Sequence, residues 1–439
     1  MRLTSTNGRA PTAGFREALR RGLAPDGGLY QPVELPLVSS DDLAGWRGLP
    51  FPAIARHLAG RLLDGEFGPD VLDRAVRAAC DFPVPIRPLG DGLWLLELFH
   101  GPTLAFKDFG ARVLARLFSE VLREERDHAT VLVATSGDTG GAVARGFAGV
   151  PGVRVVVLYP AGRVSPFQEA QMATVGGNVT AVRVNGAFDD CQRLVKSAML
   201  DPGLGDLRLS SANSINIGRL VAQTFYYVSG YLDVAARPGE AVVFAVPSGN
   251  LGNLTAGVMA ARMGLPVSRF IAATNANDVL PEFLHSGAFR PRPSVSTLSN
   301  AMDVGDPSNF ARLAALYGGS AARMGTEIAG IAVTEAETRA SIREAYRRSG
   351  VVLDPHAAVA WSAALAFQRA ERTRAPIIVL ATAHPAKFAD VVREELGFVP
   401  DLPEAERDWR SRRLLAIDLP DPDPAAFKAL LMGFSLRSC

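Results

Sequence analysis

The chain has 439 residues, 48% of them hydrophobic and 21% charged, a composition typical of folded globular proteins that excludes a disordered or fibrous chain. Its 46 basic and 45 acidic residues leave a net charge of +1, so charge indicates neither a nucleic acid nor an anionic membrane as partner. The three cysteines form no CxxC pair, and neither a signal peptide nor an apolar run of roughly 18 residues is visible, so we expect a soluble cytoplasmic enzyme.

Residues 1–95 are rich in Pro and Gly and contain short helical patterns, such as FREALRRGL at 15–23 and VLDRAVRAAC at 71–80. They hold no cluster of chemically reactive side chains. We therefore predict an N-terminal domain without catalytic residues of its own.

From residue 130 onward, short apolar runs alternate with helical patterns. The runs are TVLVA (130–134), VRVVVLY (153–159), NVTAVRV (178–184), EAVVFAVP (240–247), RFIAATN (269–275) and PIIVLAT (376–382). Most of them do not alternate between polar and apolar residues, as expected for strands of a parallel sheet whose two faces are both covered by helices. The predicted fold class is α/β.

The alternation of strands and helices begins at about residue 130 and begins again at residue 240, which predicts two α/β domains with a cleft between them. We place the N-terminal domain at 1–95, the first α/β domain at 96–238 and the second at 239–439. The end of the chain, from residue 400, has only helical or irregular patterns.

Lysine is rare in this chain, since 42 of the basic residues are Arg and four are Lys. Only Lys can lose its charge and act as an amine nucleophile. Lys107 lies in LAFKDFG, between apolar residues and a helical pattern, where burial would lower the pKa of its amine. The alternative is a lysine whose stem lies along apolar surface. Lys196 and Lys428 have the helical spacing of solvated side chains, which leaves Lys387 as the competing candidate.

Two loops that follow predicted strands have the composition of anion sites. In VPSGNLGN (246–253), glycines precede a helix predicted to begin near Leu254, and backbone amides at a helix N-terminus bind phosphate well. In ATSGDTGG (134–141), three hydroxyl side chains surround Asp138 at another helix start. The alternatives are a tight turn for the first loop and an ordinary N-cap for the second.

Several classes of site are absent from the sequence. It contains no GxxxxGK[ST] or GxGxxG pattern for a nucleotide and no GxSxG elbow for a serine hydrolase. The six histidines show no metal-ligand spacing, so we expect no metal site. An activated lysine together with a small phosphate cradle indicates pyridoxal 5'-phosphate, which forms an imine with lysine and stabilises carbanions next to an amino group.

Seven segments together resemble threonine synthases of the longer bacterial and fungal type, which are fold type II pyridoxal-phosphate enzymes. The resemblance covers nearly the whole chain. It is carried by the order and spacing of STNGRAP (5–11), GLAPDGGLY (22–30), HGPTLAFKDFG (100–110), ATSGDTGG (134–141), SSANSINIGRL (210–220), VPSGNLGNLTAG (246–257) and TAHPAKF (382–388).

The resemblance implies roles for the residues around the cofactor. Lys107 would carry the cofactor as a Schiff base, and Asp138 would lie near its ring hydroxyl. Thr382 would bond the pyridine nitrogen without holding it protonated. Backbone amides of the second loop would bind the phosphate, from Gly249, Asn250, Leu251, Gly252 and Asn253. Family members often carry Asp where this chain has Asn253, so the role of that side chain stays open.

The resemblance also implies substrate contacts. Thr135, Ser136 and Thr139 would face the carboxylate and phosphate of the substrate. The NSINIGR segment would bind the leaving phosphate through Asn213, Ser214 and Arg219, since a guanidinium matches phosphate oxygens in a bidentate manner.

The implied reaction converts O-phospho-L-homoserine and water to L-threonine and phosphate, the last step of threonine biosynthesis, in a monomer or homodimer. One alternative is a phospho-lyase or dehydratase of the same fold that yields 2-oxobutanoate. Another is a noncatalytic homologue that only binds pyridoxal phosphate. Neither a nucleic acid nor a membrane is expected as partner.

Overall fold

The computed structural model describes residues 1–435, and Cys439 lies outside them. The N-terminal part contains a three-stranded antiparallel sheet in the order β2-β1-β3 and a group of helices that pack beside it. Its elements are β1 (Arg2–Ser5), β2 (Ala13–Gly14), α1 (Phe15–Arg21), β3 (Tyr30–Pro32), α2 (Ser40–Trp46), α3 (Phe51–Leu62) and α4 (Pro69–Ala79).

Strands and helices alternate through the rest of the chain. The first part contains β4 (Ile86–Gly90), β5 (Leu93–Glu97), α5 (Lys107–Glu125), β6 (Ala129–Ala134), α6 (Asp138–Phe147), β7 (Val153–Pro160), α7 (Pro166–Ala173), β8 (Val179–Val184), α8 (Phe188–Met199), β9 (Leu209–Ser211) and α9 (Ile217–Val234). The second contains β10 (Val242–Pro247), α10 (Gly252–Arg262), β11 (Val267–Thr274), α11 (Val279–Ser286), α12 (Phe310–Leu316), α13 (Ala321–Gly325), β12 (Ile328–Ala332), α14 (Glu335–Ser349), α15 (Pro355–Glu371), β13 (Ile377–Ala381), α16 (Ala389–Leu396), β14 (Ala416–Leu419) and α17 (Pro424–Ser435).

Two larger sheets form the body of the protein. One has five parallel strands in the order β14-β8-β7-β6-β9, and the other has six in the order β12-β11-β10-β13-β5-β4, parallel except for the β4–β5 pair. Every residue of β6 and β10 is buried, because helices cover both faces of each sheet. The predicted α/β class with parallel sheets and an N-terminal domain is confirmed.

Sheet membership differs in two places from the predicted segments. Strands β4 and β5 begin within the segment 1–95, but they belong to the six-stranded sheet, where β5 pairs with β13 and β4 pairs with β5. Strand β14 follows residue 400, where only helical or irregular structure was expected, and it pairs with β8 in the other sheet. The chain thus crosses from one sheet to the other more often than three consecutive segments imply.

Helix α9 is buried between the parts of the fold. All of its residues except Asp233 are buried, and it packs against α3, α5 and α10. Despite this apolar setting, none of the helices in residues 1–435 is long and apolar enough to cross a membrane. The first turn of α9 carries Arg219, whose side chain lines the space between the two larger sheets.

Candidate active site

A cavity lies where the carboxyl ends of β6, β10 and β13 approach one another. All fourteen residues that the sequence points to line it: Lys107, Thr135, Ser136, Asp138, Thr139, Asn213, Ser214, Arg219, Gly249, Asn250, Leu251, Gly252, Asn253 and Thr382. Crevices at the carboxyl ends of parallel strands are the usual ligand sites of α/β proteins. Residues 1–435 contain no cluster of three side chains able to hold a metal ion.

Lys107 is the first residue of α5 and is partly exposed to the cavity. The loop before it is tied to the end of β13, because the amide of Phe106 donates to the carbonyl oxygen of Thr382 at 2.9 Å. Its amine has no hydrogen-bond acceptor among the described residues. Burial lowers the pKa of Lys107 to about 8, and the opposing attraction of Asp138 does not restore it. Such a lysine has a larger neutral fraction at physiological pH than an ordinary lysine, and the neutral amine is the nucleophilic form.

The loop after β6 is braced by its own first hydroxyl. The Oγ1 atom of Thr135 donates to the carbonyl oxygen of Gly137 and accepts from the amides of Gly137 and Gly140, at 2.9–3.1 Å. A hydroxyl can donate one hydrogen bond and accept two, so the Thr135 hydroxyl has no capacity for a further hydrogen bond. The hydroxyls of Ser136 and Thr139 form no such bonds within residues 1–435 and are accessible from the cavity.

Asp138 begins α6 and is almost fully buried. Its Oδ1 atom lies 2.7 Å from Nζ of Lys387 and accepts from Nε2 of Gln168 at 2.9 Å. Burial acts to raise the pKa of this carboxyl, but the charges of Lys387 and Lys107 outweigh burial and hold the pKa below its usual value. Asp138 is therefore a carboxylate on the cavity wall.

The loop after β10 turns sharply into α10, which begins at Gly252, two residues before the predicted start. Leu251 adopts a left-handed conformation with φ 60°, and a Cβ atom on Gly249 would lie 2.7 Å from the Cα atom of Met302. No acceptor within the described residues pairs with the backbone amides of 249–253. The loop thus leaves a set of consecutive amides free for an anion at a helix N-terminus.

Asn253 links this loop to the aromatic core of α9. Its Oδ1 atom accepts hydrogen bonds from the hydroxyls of Tyr226 and Tyr227, at 2.6 and 2.8 Å. Its Nδ2 atom is buried and finds no partner among the described residues. An unpaired buried donor costs about 1–3 kcal/mol, which an anion at this loop would relieve.

The SSANSINIGR segment brings the cation of Arg219 to the cavity, and it adjoins the loop after β10, because Nδ2 of Asn250 donates to Oγ of Ser214. Arg219 is buried, its Nη1 atom donates to the carbonyl oxygen of Ala212 at 2.6 Å, and its Nε atom has no partner among the described residues. Burial lowers the pKa of the guanidinium to about 10, so it remains charged at neutral pH. The side chain of Asn213 bonds both backbone groups of Ala134 and so aligns this segment with the loop after β6.

Arg312, which the sequence analysis did not single out, holds the same segment from behind. It is 1% exposed and donates to the carbonyl oxygens of Ser214 and Ile215 in this segment and to that of Tyr30 in the N-terminal part. It also donates to Oδ1 of Asn309. Nothing in the sequence marks this arginine among 42, because its partners are backbone oxygens from distant segments.

Three further residues of the site were missed. His356 lines the cavity, with its Nδ1 atom 2.6 Å from Asp354 and its Nε2 atom accepting from the amide of Ala301. Lys387 and Gln168 lie behind Asp138. The rarity of lysine could have identified Lys387, which the sequence offered only as a rival of Lys107.

The residues present fit pyridoxal 5'-phosphate. The free amides and the orphaned Nδ2 of Asn253 suit its phosphate, and the amine of Lys107, with its lowered pKa, suits its aldehyde. The hydroxyl of Thr382, on the same cavity wall, has no partner within residues 1–435 and is available to a ring nitrogen.

Family comparisons agree with this geometry. The pyridoxal-phosphate dependent enzyme family matches residues 83–383, the threonine synthase N terminus matches 2–80 and the threonine synthase C-terminal family matches 357–431. Curated threonine synthases from Escherichia coli and Haemophilus influenzae are 42% and 41% identical to this chain, over 95% of its length and 96% of theirs. The chain belongs to the threonine synthase family.

Solved structures of threonine synthases have the same fold. That from Escherichia coli superimposes with a TM-score of 0.92 at 40% identity, over 99% of this chain and all of the other. The pyridoxal-phosphate-bound enzyme from Brucella melitensis has a TM-score of 0.91 at 38% identity, with complete coverage of both chains. This threonine synthase family member is thus a pyridoxal-phosphate-dependent lyase of fold type II, and it acts on a small molecule.

Proposed function

We propose that this chain converts O-phospho-L-homoserine and water to L-threonine and phosphate. The observation that carries the proposal is that one cavity is lined by two groups suited to anions, the free amides of 249–253 and the guanidinium of Arg219, and also by Lys107. A cofactor phosphate needs one such site, so a substrate with its own phosphate accounts for the second.

The residues that would hold the cofactor are those with free groups. Lys107 would carry it, the amides of 249–253 and Nδ2 of Asn253 would bind its phosphate, Thr382 would bond its ring nitrogen, and Asp138 would face its ring hydroxyl. When bound, the cofactor would supply an electron sink for a carbanion next to the substrate's amino group. The neutral amine of Lys107 would be the base that accepts the α-proton.

Substrate contacts follow from the same free groups. Ser136 and Thr139 would face the substrate, and Arg219 would bind the departing phosphate beside Ser214 and Asn213. Thr135 lines the cavity with them, but its saturated hydroxyl supports a role in shaping the loop. In the net reaction, the bond from the γ-carbon to the phosphate oxygen breaks, and a new bond forms between the β-carbon and a water oxygen. The β-carbon loses one proton, the γ-carbon gains one to become a methyl group, and the second proton of the water balances the released phosphate.

A product assay separates this function from its alternatives. Holoenzyme is given O-phospho-L-homoserine, and threonine, 2-oxobutanoate and phosphate are quantified together. We expect threonine and phosphate in equal amounts. Phosphate matched by 2-oxobutanoate would identify a phospho-lyase, and the absence of phosphate would support the noncatalytic homologue.

The assignment of Lys107 has its own test. In Lys107→Ala, borohydride reduction of the cofactor-loaded protein should leave no cofactor on the chain, because no imine exists to reduce. Lys196→Ala is the matched control, since Lys196 is exposed on α8 and should leave labelling intact. An adduct that persists in Lys107→Ala would move the assignment to Lys387.

We further propose a cytoplasmic monomer or homodimer that has neither a nucleic-acid nor a membrane partner. Its proposed domains are 1–95, 96–238 and 239–439, apart from β4, β5 and β14, which pair with the sheet of another segment. Cys80 and Cys191 are buried free thiols, which supports a reducing compartment. Light scattering coupled to size exclusion measures the oligomeric state, and limited proteolysis tests the predicted boundaries.

A further inference from the structure

A second lysine is buried directly behind the cavity. Lys387 lies in the short 3-10 turn Pro385–Phe388 that follows β13, and its side chain has no exposed surface. Its Nζ atom donates to the carbonyl oxygen of Thr103 at 2.9 Å and forms an ion pair with Oδ1 of Asp138 at 2.7 Å. A buried ammonium persists only with partners of this kind, so the pair is a built feature of the fold.

The ion pair uses one side of the Asp138 carboxylate and leaves the other free. Lys387 and Nε2 of Gln168 both approach Oδ1. Within residues 1–435, no donor pairs with Oδ2, although Asp138 lines the cavity. Lys387 thus anchors the carboxylate from behind while its second oxygen remains available on the cavity side.

The charges around Lys107 come from several elements. Asp138 on α6, Arg219 on α9 and Lys387 after β13 act on it, His356 on α15 lines the same cavity, and Asp108 is the next residue of its own helix. Asp108 accepts from the amide and hydroxyl of Thr103. The pKa of Lys107 is lowered first by burial, and the cations at Arg219 and Lys387 lower it further, whereas Asp138 raises it.

We propose that Lys387 is a positioning residue for the reaction: it fixes the Asp138 carboxylate and balances its charge, so that this carboxylate does not hold a free Lys107 amine in its ammonium form. The proposal rests on Lys107 as the cofactor lysine. Lys387 itself touches neither substrate nor cofactor and acts through Asp138.

Removal of the charge of Lys387 or of Asp138 should shift the pKa of Lys107 in opposite directions. Without the Lys387 cation, an unbalanced carboxylate would favour the ammonium form of Lys107 and raise its pKa. Without the Asp138 charge, the remaining cations would favour the neutral amine and lower that pKa. Removal of both charges should bring it back close to its starting value.

Competitive acetylation of the apoprotein measures this balance without catalysis. The rate at which acetic anhydride modifies Lys107 is followed by peptide mass spectrometry across neutral and alkaline pH, relative to exposed Lys196 as internal control. For the wild type, the midpoint should lie near the pKa of about 8. Lys387→Met should move it up by about one pH unit, which is roughly a tenfold slower reaction at neutral pH. Asp138→Asn should move it down, and the double variant should restore it.

A role limited to packing predicts a different pattern. It would leave the midpoint unchanged in both single variants or move it in the same direction in both, and either result overturns the proposal. If Lys387→Met does not fold, Asp138→Asn alone decides, because an unchanged or raised midpoint contradicts the balance of charges.

Borohydride reduction of the wild-type holoenzyme, followed by peptide mapping, tests the cofactor role of Lys107 separately from the positioning role of Lys387. An adduct on Lys387 would overturn the role of Lys107 and this inference with it. An adduct on Lys107, combined with midpoints that do not move in opposite directions, would overturn the role of Lys387 alone.

Discussion

The loops after β6 and β10 both leave hydrogen-bonding groups unpaired at the cavity, but these groups are backbone amides in the loop after β10 and side-chain hydroxyls in the loop after β6. After β10, the backbone amides stay free while the side chains turn back into the protein, as Asn250 does when it accepts from the amide of Ser308 and donates to Ser214. After β6, the hydroxyl of Thr135 holds the backbone, and the neighbouring hydroxyls stay free. Backbone recognition depends on a close approach that a Cβ atom would block, whereas side-chain recognition depends on which hydroxyls are present.

Gly249→Ala should break the loop after β10 most severely. The added Cβ atom would lie 2.7 Å from Cα of Met302 and 3.1 Å from the carbonyl oxygen of Ala301, so the backbone must shift. We expect cofactor affinity to fall roughly tenfold to a hundredfold, equivalent to about 1–3 kcal/mol, in a fluorescence titration. Gly45→Ala, where a Cβ atom meets nothing within 4 Å, is the control and should leave affinity unchanged.

Thr135→Val tests the brace in the other loop. The substitution removes the acceptor for the amides of Gly137 and Gly140, so the free energy of unfolding should fall by about 2 kcal/mol in guanidinium titrations. Thr139→Val removes a hydroxyl without such partners and should change the free energy of unfolding by less than about 0.5 kcal/mol. Equal losses in the two variants would contradict the division of roles between these hydroxyls.

Ser136→Ala should affect catalysis while sparing stability. Loss of a hydroxyl that bonds a charged substrate costs about 1.5 kcal/mol, which predicts a roughly tenfold lower kcat/KM for O-phospho-L-homoserine. The guanidinium unfolding curve should match that of the wild type. An unchanged kcat/KM would remove Ser136 from the substrate site.

Asn253→Asp should have the smallest effect of these variants. It tests whether backbone amides or a side chain dominate phosphate binding in the loop after β10. Two tyrosine hydroxyls would still find an acceptor, and burial beside an anion would favour the protonated form of the new carboxyl, so the main loss is the unpaired Nδ2 donor. We expect cofactor affinity to fall about fivefold, equivalent to about 1 kcal/mol. A loss of more than about tenfold would mean that the side chain, and not the backbone, dominates phosphate binding at this loop.

The sequence predicted the body of the fold because its strands are buried on both faces. All six apolar runs from residue 130 onward correspond to strands, namely β6, β7, β8, β10, β11 and β13, whereas the short strands β9 and β12 were not predicted. Strand β14 was missed, because it is short and lies at a sheet edge, where Ile417 and Asp418 are exposed, and its partner β8 is more than two hundred residues earlier in the chain. A pattern of local hydrophobicity contains no signal for such a pairing.

The site was predicted as a set of residues but not as a set of contacts. The fourteen residues selected from motifs that resemble the family all line one cavity. They did not indicate that the Thr135 hydroxyl binds its own loop, or that Lys387 pairs with Asp138 across 249 positions, since such partners exist only after the chain has folded. Composition identified the scarce lysines, whereas geometry distinguished the unpaired Lys107 from the paired Lys387.

The buried guanidinium of Arg312 makes assembly of the active site depend on the N-terminal part. It is held by carbonyl oxygens of Tyr30, Ser214 and Ile215, and it has no carboxylate to neutralise it within the described residues. A fragment limited to residues 83–383 would lack the first of these oxygens and would leave the cation short of a partner. The NSINIGR segment would then lose the contacts that Arg312 makes with it, so the N-terminal part would be a precondition for the substrate recognition proposed for this segment.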